Sequence, residues 1–373
     1  MNYKLIKTKE TPPRYILESG DKLFSINDIL FDILTEYNLC SDYEGVSRRV
    51  NDKYKDNSLT DSKLIEDSIK NVQNLINTKE EKRGNYIKNR IKIMRGETAN
   101  KVYSIFSFIF NKNLFTLCGL LFSIITFLFF YINSIVFTKG YEIMYENFSI
   151  ENIIVLYMFF FVVIFLHEIG HAIATFSFGE QPKEIGFGMY FIFPVLYTDT
   201  TNIWKLKKTE RIIVNLGGVY IQLIINVILM VMYYLLKNNA LLLIMIISNT
   251  ISIITSLNPF FRYDGYWIYS DLFQISNLKK KAAELTRMFF FSPRRVVKEF
   301  VYQKSLMLYS LLNFVFWIFV TIYLFMYLYN SVDHIQNIID SRDWFSISSV
   351  KLLSSLIFVC IGVFNLVKNI KNS

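Results

Sequence analysis

Histidine is nearly absent from this 373-residue chain, which holds three, at positions 167, 171 and 334. Cysteine is as scarce: Cys40, Cys118 and Cys360 are scattered, and the last two lie inside apolar runs. Such placement excludes a disulfide framework and a cysteine metal centre, and leaves the thiols as small buried hydrophobes. The opening MNYKLIKTKE is polar, so no cleavable signal sequence is expected and the first apolar run doubles as the insertion signal. No internal repeat or low-complexity tract stands out.

What the chain has in excess is apolar surface, with 53% hydrophobic and 17% aromatic residues, more than a water-soluble globule needs. The excess is concentrated in runs of roughly 18 or more residues almost free of charge, long enough to cross a hydrocarbon core about 30 Å thick. These are Leu114 to Phe137, Ile153 to Phe178, Ile212 to Leu236, Leu241 to Leu257 and Leu306 to Tyr329, with a shorter sixth run at Leu352 to Val367.

The net charge of +9 does not point to nucleic acid, because the charges alternate with the runs. Lys88, Arg90, Lys92, Arg95 and Lys101 precede the first run, and Lys205, Lys207, Lys208 and Arg211 separate the second from the third. Lys279, Lys280, Lys281, Arg287, Arg294, Arg295 and Lys298 separate the fourth from the fifth, whereas the intervening loops hold only Lys139, Lys237 and Arg342. The positive-inside rule then puts both termini in the cytoplasm of a multi-pass protein of the bacterial cytoplasmic membrane. A residue choice rich in Ile, Lys and Asn hints at a low-GC bacterium.

The fold class is therefore a polytopic α-helical membrane protein of about six transmembrane helices with a small α+β domain at its N-terminus. Residues 1–95 read as that cytoplasmic domain. Strand-like runs at 3–8, 14–19 and 22–26 are separated by Thr11-Pro12-Pro13 and Gly20-Asp21. Ser41 to Glu44 then has capping-box spacing, and Leu64, Ile65, Ile69, Val72 and Ile76 recur at helical intervals. Three strands followed by about three helices is a winged-helix-like order. Residues 82 to 112 are basic and predict an amphipathic linker helix, 96–112 being the stretch that meets the membrane. A membrane core spans 113–275, and 276–373 holds a basic cytoplasmic loop and the last crossings. Between the second and third crossings, Gly186 to Thr200 is too broken by Gly and Pro to span, and its aromatic and β-branched content predicts an extended or hairpin segment.

Two of the three histidines fall in one apolar run, as HEIGH. A helix brings i and i+4 onto one face, so His167 and His171 can bind one zinc ion while Glu168 faces a zinc-activated water as general base. A satisfied polar cluster is the bland alternative, but Glu168 costs on the order of 2.5 to 3.5 kcal/mol inside a membrane and needs a compensating partner. The motif lies roughly 20 to 27 Å along its crossing at 1.5 Å per residue. A third ligand is expected. His334 falls in an outer loop, on the wrong side, which leaves Asp264 in LNPFFRYDGYW, where Pro259 breaks the end of the fourth crossing. An ordinary acidic residue past a helix end would look the same.

HEIGH together with NPFFRYDG, which fits NPxxxxDG at every fixed position, resembles the site-2 protease family of intramembrane zinc metalloproteases over residues 150 to 275. The resemblance implies a site-2 protease core, Zn2+ as cofactor, His167, His171 and Asp264 as metal ligands and Glu168 as catalytic base. It also implies that Gly186 to Thr200 is a membrane-reentrant hairpin whose edge holds substrate, with Gly186, Tyr190, Phe191, Asn215 and Asn258 as substrate-binding candidates. Where many members have Gly-Pro followed by an Asn, this chain has GGVYIQ, Gly217 to Gln222, so an oxyanion role would fall to Asn215 or Gln222. Residues 3–78 resemble, by element order, the winged-helix peptide-recognition elements of modified-peptide pathways. The combination looks like the peptide zinc metalloproteases that accompany bacteriocin and modified-peptide maturation.

The expected activity is hydrolysis of a peptide bond in a small ribosomally made precursor, in or beside the membrane, with the leader read by the N-terminal domain. Expected partners are that peptide or a transmembrane substrate, the lipid bilayer, and other peptide-pathway enzymes or an exporter, with no nucleic acid. Two rivals remain: regulated cleavage of a membrane-bound signalling protein or signal-peptide remnant, and a non-catalytic peptide-binding or immunity protein. Proteases of the first kind often carry a PDZ or CBS domain, for which there is no obvious room, and intact HEIGH and Asp264 speak against the second.

Overall fold

A computed structural model of the chain describes residues 3–341 except 9, 11, 21, 56–59, 78–86, 134–148, 191–192, 237–238 and 292–302. Strands β1 (Lys4–Lys7), β2 (Tyr15–Ser19) and β3 (Lys22–Ile26) form an antiparallel meander in that order. Its register sets Leu5 against Leu17 and Leu17 against Phe24, so one face is apolar. Helices α1 (Asp28–Cys40), α2 (Tyr43–Tyr54) and α3 (Ser62–Asn77) cover it. Leu17, Ile33, Leu34, Val46, Val50, Ile65, Ile69 and Val72 make one core. Helical spacing turns Ile65, Ile69 and Val72 inward and leaves Leu64 exposed.

The capping box expected at Ser41 to Glu44 does not form. Ser41 sits at φ 51°, ending α1 in the left-handed region with its N–H on the Tyr37 carbonyl. Asp42 therefore becomes the N-cap of α2 and accepts from the Gly45 N–H at 2.9 Å. A tight link between two helices needs the left-handed residue, and this shifts the cap by one position.

The expected linker helix is also corrected. Residues 87–95 form strand β4 (Ile87–Arg95), which pairs with β5 (Glu184–Tyr190), and β5 pairs with β6 (Phe193–Thr198), all antiparallel. Ile and basic residues alternate over 87–93, a period of two that suits a strand, and in β4 Ile87 is buried whereas Ile91 and Ile93 are exposed. Asn89, at φ 49°, marks an irregularity between the Lys88 and Ile91 pairings. Residues 96–110 then make two short 3-10 turns around α4 (Asn100–Phe106) instead of one continuous helix. The segment around Gly186 to Thr200 is thus a hairpin, and the strand completing its sheet comes from before the first crossing.

Helices α5 (Lys112–Ile132), α6 (Ile150–Ser177), α7 (Lys208–Asn215), α8 (Gly217–Leu235), α9 (Ala240–Ser256) and α10 (Asp264–Leu272) follow in order. Among the described residues four helical segments are long and apolar enough to cross a membrane: α5, α6, α8 and Lys304–Tyr323. Their number is lower than the expected six. The run at Leu241 to Leu257 gives α9, an apolar helix too short to join the four, and Leu352 to Val367 lies outside the described residues, as does Cys360. Cys40 and Cys118 are free thiols.

The chain divides into two compact units, Met1–Ile268 and Tyr269–Ser373. In the first, α8 packs against α5, α6 and α9. Its apolar interior holds Tyr103, Phe110, Phe115, Ala172, Ile185, Val214 and Tyr220 on one side, and Phe129, Leu229, Tyr233, Leu243 and Ile246 on another. Residues such as Phe127, Tyr131, Ile154, Tyr157 and Phe161 stay exposed on α5 and α6, as lipid-facing side chains of spans would. In the second unit, α11 (Leu278–Phe291) packs on α12 (Lys304–Ser341). Part of the expected basic loop is therefore helical, and α12 runs through His334, which was expected in a loop.

Candidate metal centre

His167 and His171 lie one turn apart on α6 and are both buried. Asp264 opens α10 after a turn in which the Asn258 side chain accepts from the Phe260 N–H at 2.9 Å. That turn carries the chain from α9 back toward α6. The Nε2 atoms of the two histidines are 3.1 Å apart, Asp264 Oδ2 is 3.1 Å from His167 Nε2, and Asp264 Oδ1 is 3.3 Å from His171 Nε2. Donor atoms of His167, His171 and Asp264 all fall within 4.8 Å of one another.

The arrangement fits a cation. His171 Nδ1 lies 2.8 Å from the Val214 carbonyl oxygen, which can only accept, so Nδ1 carries the proton and Nε2 presents a lone pair. His167 Nδ1 is likewise engaged away from the cluster, 3.0 Å from Gln222 Oε1. Asp264 Oδ2 is buried and has no hydrogen-bond partner. Lone pairs and a carboxylate converge with no donor between them, which is repulsive until a positive charge is shared among them. Two imidazoles and a carboxylate are a donor set suited to zinc.

Glu168 projects from the same turn, where the charges of His167, His171 and Asp264 act on it. Its backbone carbonyl accepts from the Thr198 hydroxyl at 2.8 Å, so β6 is fastened to the motif. The other end of the hairpin touches the aspartate's approach: Tyr190 Oη accepts from the Arg262 N–H at 3.4 Å, and the Tyr190 and Tyr263 rings meet tilted at 56° with centroids 5.8 Å apart. The hairpin thus braces both halves of the cluster.

The other sequence candidates fall unevenly around this centre. Gly186 lies within β5, where a Cβ would come 2.6 Å from Tyr197 Oη and 2.8 Å from the Ile91 carbonyl oxygen. Asn215 is buried at the end of α7, one residue past Val214. Asn258 holds the turn before α10, and Phe191 lies outside the described residues. Gly217 meets Gly170 at close range, so the glycine pair serves helix approach, and Gly218 faces the His167 ring itself. A Cβ at Gly218 would stand 2.4 Å from Cε1 and from Nε2 of that imidazole. Neither Gln222 nor Gly218 was assigned to the histidines from sequence. The signal available was a glutamine inside an apolar helix, where an amide must find partners.

Over 211 residues the chain is 29% identical to "Putative peptide zinc metalloprotease protein YydH" of Bacillus subtilis (strain 168), a match covering 53% of this chain and 77% of that protein. No protein-family profile matches the sequence. No solved structure matches it either.

Proposed function

We infer that this chain is a zinc-dependent endopeptidase of site-2 protease type, cutting a small ribosomally made peptide precursor in or beside the cytoplasmic membrane. The observation that carries the reading is the convergence of His167, His171 and Asp264 beside Glu168 on an apolar helix, with both Nδ1 atoms committed elsewhere. The named relative supports the same chemistry. His167, His171 and Asp264 would hold zinc, which when bound polarises the scissile carbonyl and acidifies water. Glu168 takes a proton from the attacking water and returns it to the leaving nitrogen. Strand β6, an edge of its sheet, offers main-chain groups to an extended substrate beside Glu168. Asn215, Asn258 and Tyr190 remain proposed substrate contacts around that path, and Phe191 remains a candidate from the sequence alone.

The domain of β1 to β3 and α1 to α3 is proposed to read a leader peptide, as a winged-helix-like recognition element with both termini of the chain cytoplasmic. Its position supports this role. Glu10 joins Arg14, at 2.7 Å, to Arg211 of α7, at 3.0 Å, and Arg14 also donates to the Trp204 and Leu206 carbonyls at 3.3 Å. Helix α7 ends at the Val214 and Asn215 that border the metal centre. The test is cleavage, in membranes, of precursor peptides encoded beside this gene. Zinc-dependent cutting that weakens without residues 1–95 is expected; equal cutting of generic transmembrane segments would favour signalling proteolysis instead.

A further inference from the structure

A chain of buried amides crosses from α9 to α8 and ends on His167. Gln222 Nε2 donates to Asn249 Oδ1 at 3.1 Å, and Asn249 Nδ2 donates to the Gln222 backbone carbonyl at 3.0 Å and to Asn226 Oδ1 at 2.7 Å. Asn226 Nδ2 donates to Thr250 Oγ1 at 2.9 Å, and the Thr250 hydroxyl donates to the Ile246 carbonyl at 2.8 Å. Gln222, Asn226 and Asn249 are at most 1% exposed, in helices that are mostly apolar.

An amide side chain can be turned end for end, so its orientation must come from a group that cannot reverse its role. The Gln222 main-chain carbonyl is such a group. It can only accept, so Asn249 must turn Nδ2 toward it and Oδ1 toward the Gln222 amide nitrogen. The Ile246 carbonyl fixes the far end in the same way. Ser252, 3.0 Å from Gln222 Nε2, can donate or accept and imposes nothing.

We propose that the Asn226–Asn249–Gln222 relay is a positioning device that holds Gln222 Oε1 against His167 Nδ1, fixing the tautomer that leaves Nε2 free for metal. The inference rests on the zinc reading of the site. It replaces the oxyanion role expected for Gln222, whose amide is committed on both sides. A flipped Gln222 would offer N–H to Nδ1, drive the imidazole proton to Nε2 and close that ligand position. Outer partners of this kind change metal affinity by about 10- to 100-fold.

The test uses full-length protein in detergent, zinc titrated against a competing chelator, and 15N-histidine NMR, where only three rings report and His334 is the control. Asn249→Leu is expected to weaken zinc binding about 10- to 100-fold and to divide His167 between tautomers. Gln222→Glu presents an oxygen whichever way it turns, so it should keep the Nδ1 proton, and adding Asn249→Leu to it should change affinity by no more than about twofold. Equal losses in both backgrounds would reduce the relay to packing and overturn the proposal, as would no loss in either. Should the Asn249 variants fail to fold, the zinc-loaded parent decides, since a His167 without a proton on Nδ1 overturns the relay. A parent that folds but takes up no zinc would instead sink the metalloprotease reading.

Discussion

Glu168 lies beside His167, His171 and Asp264, whose charges act on it. His167, His171 and Asp264 form a cluster that could hold a metal ion, and the proposed function gives the carboxylate beside them the role of proton transfer. Glu168→Gln keeps size and hydrogen bonding and removes the base. We expect hydrolysis to fall by about 10²- to 10⁴-fold with zinc content unchanged, measured on purified protein with a cleaved precursor. Gly218 gives the complementary prediction. A methyl group there would overlap the His167 ring at 2.4 Å, so Gly218→Ala should displace the imidazole and lower zinc occupancy, read by metal analysis of the folded variant. Retained occupancy would show that α6 and α8 can separate to admit it.

At the scale of elements, the sheet of β4, β5 and β6 decides how the hairpin meets the site. Gly186 lies flush against Ile91 and Tyr197, and a side chain there must push β4 and β6 apart. Gly186→Val should therefore cost about 1 to 3 kcal/mol of stability, seen as a lowered thermal midpoint, and should slow cleavage more than it reduces zinc binding. The sequence made some of this visible and hid the rest for identifiable reasons. HEIGH is local, so its helix and its face follow from a spacing of four. Asp264 needed only the proline break before it. Strand β4 pairs with residues about a hundred positions away, so the local pattern, a basic stretch leading into the membrane, suits a linker helix and carries no sign of the partner strand. Gln222 was visible as a polar residue in an apolar run. Which ring it served depended on the rotation of α8 against α6, which no local pattern encodes.

Across the first unit, the N-terminal domain is tied to the core through Glu10, Arg14, Arg211 and the backbone at Trp204 and Leu206. Arg211 is 1% exposed, and Trp204 has the guanidinium groups of Arg14 and Arg211 within 6 Å of its ring, at 5.9 and 5.8 Å. Removing one partner of a buried ion pair costs about 3 to 5 kcal/mol. Glu10→Leu should accordingly lower the unfolding midpoint followed by tryptophan fluorescence, while leaving zinc stoichiometry intact. If leader reading passes through this junction, the variant should also narrow the difference between precursors with and without their leader.

The central claim is zinc-dependent hydrolysis at His167, His171, Asp264 and Glu168. Its most direct measurement is zinc content and precursor cleavage on the same membrane preparations of the parent, Glu168→Gln and Asp264→Ala. The account predicts one zinc and cutting in the parent, zinc without cutting in Glu168→Gln, and loss of both in Asp264→Ala. Cutting by Glu168→Gln at the parent's rate would contradict it.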